Sequence, residues 1–446
     1  MKGDWDVLKG GVLVASGAQG FFMLSGFFVA ILLARWVPRD DLGAFYLLVQ
    51  VATVAGLIAL VGTNSSMQKF VGVASKRKDW IAVRHILQTA APIQWAGWAV
   101  TSLILGLIWM PLCSALSIPG GRDTWLMAVL LSGVIALTEH CTGVFRAWRD
   151  FRYGTWLRTG VRQGLMLTGL VLSFGTGVVV LNFETSIGLR IATTAFPAVV
   201  AWWLMRRHLF AALEAPIEVP AYPAVSRSII LKTSIPMAIH GLTVYLVASV
   251  DMWVVGAWLG NSDAGLYGTI LRIAMLLGAL LTVINAVLPT LVAGLFEEKK
   301  FKELEHLLRR TATASGVCAL LAFIGLVVVG APMLRLLFGT GFEAGYLVMV
   351  ILALGQLLNI GSGSPGWVLQ MTGHQGVLAK ITLVTLAVNI TLNLLLVGPY
   401  KLEGVAAATA LGILVQNAMM IGAAKKLVGI RTYIYFNPLL MFRNAR

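Results

Sequence analysis

Uncharged runs recur along the whole chain: Gly10–Ala34, Leu42–Gln68, Gln163–Phe183, Ile273–Phe296, Thr311–Leu334 and Gly404–Ala424. Each can cross a bilayer, whose hydrocarbon core of roughly 30 Å takes about 20 helical residues. No water in that core can satisfy backbone N–H and C=O groups, so a crossing run must pair them within itself as a helix. Strands of a barrel would instead alternate in polarity, which these runs do not do. Composition agrees: 58% of residues are apolar and 12% charged, with a mean hydropathy of +0.84, against roughly a quarter charged in soluble domains. Read with their flanks, the runs predict helices at 10–34, 42–65, 86–110, 124–146, 157–181, 186–205, 234–258, 264–290, 311–331, 343–363, 377–397 and 403–424. The fold class is an all-α polytopic membrane protein of about 12 transmembrane helices.

Cytoplasmic loops keep an excess of Lys and Arg. With the N-terminus inside, inner segments hold 27 of the 34 basic residues, clustered around Lys76–Arg84, Arg146–Arg162, Arg206–Lys232, Lys299–Arg310 and after Ala424. Both termini are therefore expected in the cytoplasm. The net charge of +15 is spread over short inter-helix loops rather than one soluble face, which argues against a nucleic-acid partner. Within Lys299–Arg310, Phe301, Leu304, Leu307 and Leu308 share a helical face opposite Lys, Glu and Arg, the pattern of an interfacial helix. The first apolar run exceeds a signal-peptide core and lacks a small-residue cleavage site after it, so it is expected to stay attached. Cys113, Cys141 and Cys318 have no metal or redox spacing.

Sliding the chain on itself by 222 residues superposes Trp36 on Trp258, and Asp41, Gly43 and Phe45 on Asp263, Gly265 and Tyr267. His85 in HILQTA meets His306 in HLLRRTA one residue out of step, and Arg206–Arg207 answers Lys425–Lys426. Two six-helix lobes are implied: 1–205, a cytoplasmic connector at 206–233, and 234–446 with a short cytoplasmic tail. Six being even, both lobes would enter the membrane in the same sense, related by a pseudo-twofold axis along its normal. Pro92, Pro197, Pro236 and Pro289 supply sites for kinks.

The hairpin pattern R-x-x-x-x-x-x-x-G-x-[FY] from Arg35, the segment SIPMAIHGLTVYLVASVDMWVVGAWLG, then AGLYGTILRIAMLL, and VNITLNLLLVGPYKLEGVAAATALG follow in order. Together they resemble the polysaccharide (Wzx-type oligosaccharide) flippases of the multidrug/oligosaccharidyl-lipid/polysaccharide exporter superfamily, over nearly the full chain. That resemblance implies a non-enzymatic, multi-pass protein of the bacterial inner membrane. Its job would be to carry an undecaprenyl-diphosphate-linked oligosaccharide across by alternating access, for exopolysaccharide, O-antigen, lipopolysaccharide or capsule synthesis. The implied partners are the lipid-linked oligosaccharide, membrane lipids, and a polysaccharide polymerase with its chain-length machinery. A drug or metabolite antiporter of the same superfamily and a non-transport scaffold for glycan-synthesis enzymes are the alternatives.

A diphosphate needs cations in a hydrated cavity. Arg272 stands nine residues into its helix, about 13 Å deep, and an intramembrane charge is a functional candidate by default. Arg158 and Arg162 share a face at the inner start of helix five, where anchoring explains them equally well. Arg35 resembles the family arginine at the outer end of helix one. For ion coupling, Asp251 with Asn389 and Asn393 offers oxygens suited to sodium, and the lipid II flippase branch, which this chain resembles only distantly, builds an ion site from corresponding helices. Hydrogen bonding between helices is the simpler account of the two asparagines. Glu139 and His140 suit a coupled proton, or Glu139 a plain pairing with Arg146. Asp251 and Arg272, at similar depths, could also neutralise one another. No other cofactor is expected, and coupling to sodium ion or proton is the only ion requirement foreseen.

Overall fold

The computed structural model describes residues 2–148, 150, 153, 156–176, 180–213, 225–285 and 288–435. The first stretch folds as α1 (Lys2–Trp36), α2 (Arg39–Ala59), α3 (Thr63–Lys76), α4 (Trp80–Leu116) and α5 (Arg122–Ala147). A π-helical turn (Trp156–Val161) leads into α6 (Arg162–Thr176), then α7 (Phe183–Leu213) and α8 (Arg227–Val247). There follow α9 (Val250–Leu259), α10 (Asn261–Leu277), α11 (Ala279–Asn285), α12 (Leu288–Glu297) and α13 (Phe301–Phe338). A 3-10 turn (Phe342–Gly345) precedes α14 (Tyr346–Ser362), α15 (Pro365–Met371) and α16 (Gln375–Val428).

Among the described residues eight helices are long and apolar enough to cross a membrane. One of them, α16, holds two crossings: Lys401 adopts φ 46° and ψ −128° and breaks the helix, between the two runs expected there. Shorter apolar helices supply the rest, giving about 12 crossings in a multi-pass membrane protein. Met1–Val29 with Trp36–Tyr245 forms one compact unit, and Ala30–Arg35 with Leu246–Arg446 another.

The repeat seen in the sequence is carried by the backbone. Helices begin at Arg39 and Asn261 and end at Leu116 and Phe338, each pair 222 residues apart. The loops before the long helices α4 and α13 turn through Lys78 and Lys299, both at φ 57°. In the first unit α2 packs on α4, α5 and α7; in the second α14 packs on α10, α13 and α16. At one end of the first unit Met67, Phe70, Val71, Val83, Ile86, Val144 and Phe145 are buried together. Asp79 caps α4 there by accepting from the Ala82 amide at 2.9 Å, a contact worth about 1 kcal/mol.

Two expectations are revised. The Lys299–Arg310 stretch is not a separate interfacial helix: it is the first part of α13, which runs unbroken into its apolar span. Leu304 and Leu308 are buried against Leu288, Val292, Val368 and Leu369, so that part of its apolar face is covered by protein, while Phe301 stays exposed. The run expected as one helix at 264–290 is divided, with a break at Gly278 between α10 and α11.

Candidate functional site

Chemistry-bearing side chains gather at one place in each unit. In the first, the C-terminal turn of α5, the π-turn and the start of α6 bring together Glu139, Arg146, Arg158 and Arg162, with α7 packed beside the last two elements. Arg158 Nε donates to Glu139 Oε1 at 2.7 Å, with the arginine 34% and the glutamate 17% exposed. Arg146 and Arg162 lie within electrostatic reach of both members of that pair, and Arg190 of α7 within reach of Arg162. Three guanidinium groups, those of Arg146, Arg158 and Arg162, thus lie within reach of one carboxylate, with Arg190 beside Arg162. Arg162 Nε is buried without a hydrogen-bond partner among the described residues, while the guanidinium sits 5.8 Å from the Phe22 ring.

Guanidinium groups take phosphate and diphosphate oxygens through paired, charge-assisted hydrogen bonds. An arginine cluster of this kind is chemically able to receive an anion. Arg158 and Arg162 lie within electrostatic reach of one another, and Glu139 hydrogen-bonds to Arg158 with Arg146 also in reach. Arg190 was not anticipated. Its place seven residues into α7, about 10 Å along the axis, was the signal that could have found it. Next to Glu139, His140 is buried, and the Gln94 amide bridges its Nδ1 at 2.8 Å and the Thr63 hydroxyl at 2.6 Å.

In the second unit Asp251 lies in the first turn of α9, just after α8 and α9 part at Ala248 and Ser249. The carboxylate is buried. It accepts from its neighbour's Met252 amide at 2.8 Å, from the Tyr267 hydroxyl at 2.9 Å and from the Thr409 hydroxyl at 3.4 Å. On α16, Asn389 donates to the Val247 carbonyl at 3.2 Å, and Asn393 donates to the Asn389 carbonyl at 2.9 Å and to its side-chain oxygen. Asn393 Oδ1 is buried without a partner among the described residues.

Oxygen atoms of a carboxylate, amides, a hydroxyl and a carbonyl make the donor set of a hard cation. No group of three His, Cys, Asp or Glu side chains suited to a metal ion occurs among the described residues, so the set is poor in the charge a divalent ion needs. Tyr267 and Thr409 were not anticipated; the 222-residue repeat held a hint, since Val29 and Phe45 stand at the positions of Asp251 and Tyr267. A polar pair stands in the second half where the first has an apolar one.

The two remaining candidate arginines sit elsewhere. Arg35 donates from Nε to the Leu337 carbonyl at 2.7 Å and from its guanidinium to the Leu336 carbonyl, closing the C-terminal end of α13, where helix carbonyls lack intrahelical donors. Arg272, half-buried on α10, donates to the Gly268 carbonyl at 2.6 Å.

Comparisons with known proteins agree with this architecture. The MatE family pattern matches residues 236–395. A probable low-salt glycan biosynthesis flippase of Haloferax volcanii is 24% identical over 188 residues, 42% of this chain and 39% of that protein. A capsular polysaccharide biosynthesis protein of Staphylococcus aureus is 26% identical over 176 residues, 39% of this chain and 44% of that one. The chain thus spans less than half the length of these relatives. Among solved structures, the inward closed lipid II flippase MurJ superposes with a TM-score of 0.69 at 14% identity, covering 97% of this chain and 90% of that one. An inward-facing multidrug MATE transporter gives 0.66 at 14% identity, covering 93% and 99%. Residues 236–395 thus carry the MatE pattern, and along nearly its whole length the chain has a fold similar to those of the lipid II flippase and the multidrug transporter.

Proposed function

We propose that this protein flips a polyprenyl-diphosphate-linked oligosaccharide across the bacterial inner membrane by alternating access, supplying a polysaccharide polymerase and its chain-length machinery. The observation that carries the reading is the cluster of Arg146, Arg158 and Arg162 around the carboxylate of Glu139, with Arg190 beside Arg162. A cationic drug would be repelled there, whereas a diphosphate would be held. Arg272 is the candidate cation of the second unit, and Arg35 is assigned to closing α13. The relatives named for glycan and capsule synthesis support the same substrate class. The positive-inside pattern supports cytoplasmic termini.

Asp251, Thr409, Asn389 and Asn393 are proposed to hold a sodium ion, with Tyr267 orienting the carboxylate. When bound, that ion supplies a positive charge whose binding energy can be coupled to a conformational step. The protein groups keep water out and fix the oxygens.

The decisive experiment deletes the gene and follows surface polysaccharide together with lipid-linked repeat units, complementing with wild type, Arg158→Ala with Arg162→Ala, and Arg272→Ala. Loss of polymer with repeat units accumulating in the cell, rescued by wild type and not by the arginine variants, supports the reading. Normal polysaccharide with altered drug sensitivity sinks it in favour of a drug antiporter.

A further inference from the structure

Beyond α16 the chain turns at Gly429 (φ 77°) and runs as an extended segment, Ile430–Tyr435, sewn onto three helices of its own unit. Ile430 is buried in the core beside Leu304, Leu308, Val368 and Leu369. Thr432, fully buried, donates from its hydroxyl to the Ser362 carbonyl at 2.9 Å, and the Ile434 amide donates to the Gly361 carbonyl at 3.0 Å. These are terminal carbonyls of α14, which have no donor within their own helix. On the other side, the Tyr435 amide donates to the Thr313 hydroxyl at 2.9 Å, and Arg309 Nε donates to the Tyr433 carbonyl at 3.2 Å. The Arg309 guanidinium lies 4.0 Å from the Tyr435 ring centroid and 5.3 Å from that of Tyr433. His306 Nδ1 and the Tyr435 hydroxyl share a hydrogen bond of 3.0 Å. The segment therefore ties the first turns of α13 to the last turn of α14.

What it ties down is a joint. Gly363 links α14 to α15 at φ 73° and ψ −136°, and a Cβ there would meet the Thr432 carbonyl oxygen at 2.3 Å. Only glycine takes that conformation freely. Pro365 begins α15, and its ring would clash with the Gly361 carbonyl in a continuous helix. The break between α14 and α15 is thus permanent, but its angle rests on Gly363 and on the segment laid across it.

We propose that Ile430–Tyr435 is an intramolecular latch: while fastened to Arg309, Thr313, Gly361 and Ser362 it fixes the α14–α15 joint, and the joint bends only when the latch lets go. The consequence for gating rests on the transport reading above. In that reading this end of the unit is cytoplasmic, where an inward opening begins, so the latch restrains that opening.

Hydrogen–deuterium exchange on the full-length protein in lipid nanodiscs reads the joint without requiring transport. Thr432→Val, nearly isosteric, and Arg309→Ala are each expected to speed exchange at 361–366 at least tenfold, leaving α2 and α5 within twofold of wild type. Unchanged exchange at 361–366 in both variants overturns the latch. A second arm places Thr313→Cys and Tyr435→Cys in a chain whose Cys113, Cys141 and Cys318 are alanine. Oxidation should suppress exchange at the joint and stop flux of the host's lipid-linked repeat unit in proteoliposomes, with recovery on reduction. Equal flux in the oxidised and reduced states overturns the gating role. If the wild type shows no flux at all, the transport reading has failed, and the exchange measurements still decide the latch.

Discussion

Replacing Glu139 by glutamine tests whether the arginine cluster is a waiting anion site or a finished ion pair. The Arg158–Glu139 contact of 2.7 Å places opposite charges about 4 Å apart, a gross attraction of ~4 kcal/mol at an effective dielectric near 20. Arg158 is 34% exposed and Glu139 17%, and solvent screening with the entropy of holding both chains reduces the net value to about 1 kcal/mol. An incoming diphosphate must displace that carboxylate before it can use Arg158. Glutamine keeps the shape and drops the charge, so roughly 1 kcal/mol is returned to the ligand, about a fivefold tighter Kd. Calorimetric titration of purified protein with farnesyl diphosphate reads this directly. Glu139→Gln should bind about fivefold more tightly than wild type, while Arg158→Ala and Arg162→Ala bind at least tenfold more weakly. Binding in Glu139→Gln as weak as in Arg158→Ala would refute the reasoning, because Glu139 would then be holding the arginine in place rather than competing for it.

Asp251→Asn should abolish a sodium-specific rise in thermal midpoint that the wild type shows over potassium, a stabilisation of about 2.7 kcal/mol at a hundredfold excess over Kd; equal shifts in both would remove the cation from the second unit. Tyr267→Phe, which leaves the Met252 amide and Thr409 on the carboxylate, should weaken that sodium response and lower stability by about 1–2 kcal/mol, read by thermal unfolding. Gly62→Ala should be among the most damaging single substitutions, since Gly62 sits at φ 74° and a Cβ would lie 2.2 Å from the Ser234 carbonyl oxygen; a thermal midpoint within a degree of wild type would contradict it. Arg35→Ala should loosen the C-terminal end of α13 by about 1 kcal/mol, seen as faster exchange at 335–338.

Hydropathy located the spans because lipid demands apolar length, and it says nothing of where a span bends. The run at 234–258 parts at Ala248 and Ser249 with neither Pro nor Gly at the break, so no local signal marks it. Yet that break puts Asp251 in a first helical turn, where its carboxylate accepts from the Met252 amide. Lys401 lies where a loop was expected, and there the chain does break. Arg158 and Arg162 were legible as a pair because four-residue spacing fixes their face. Their companions Arg146 and Arg190 come from other helices, and such proximity depends on packing that one sequence does not encode locally. The Asp251 partners tell the same story: Asn389 and Asn393 sit one turn apart on one helix, whereas Tyr267 and Thr409 arrive from elsewhere.

The internal repeat gives the two sites a shared history with a chemical consequence. Two copies of one short chain, assembled as a symmetric dimer, would carry every charge twice. An arginine cluster would be accompanied by its duplicate, and a buried carboxylate by another. Joining the copies into one chain removes that constraint. Position 29 is valine where its counterpart 251 is aspartate, and position 45 is phenylalanine where 267 carries a hydroxyl. Under the proposed function one half binds the anion and the other the cation, a division of labour closed to a homodimer.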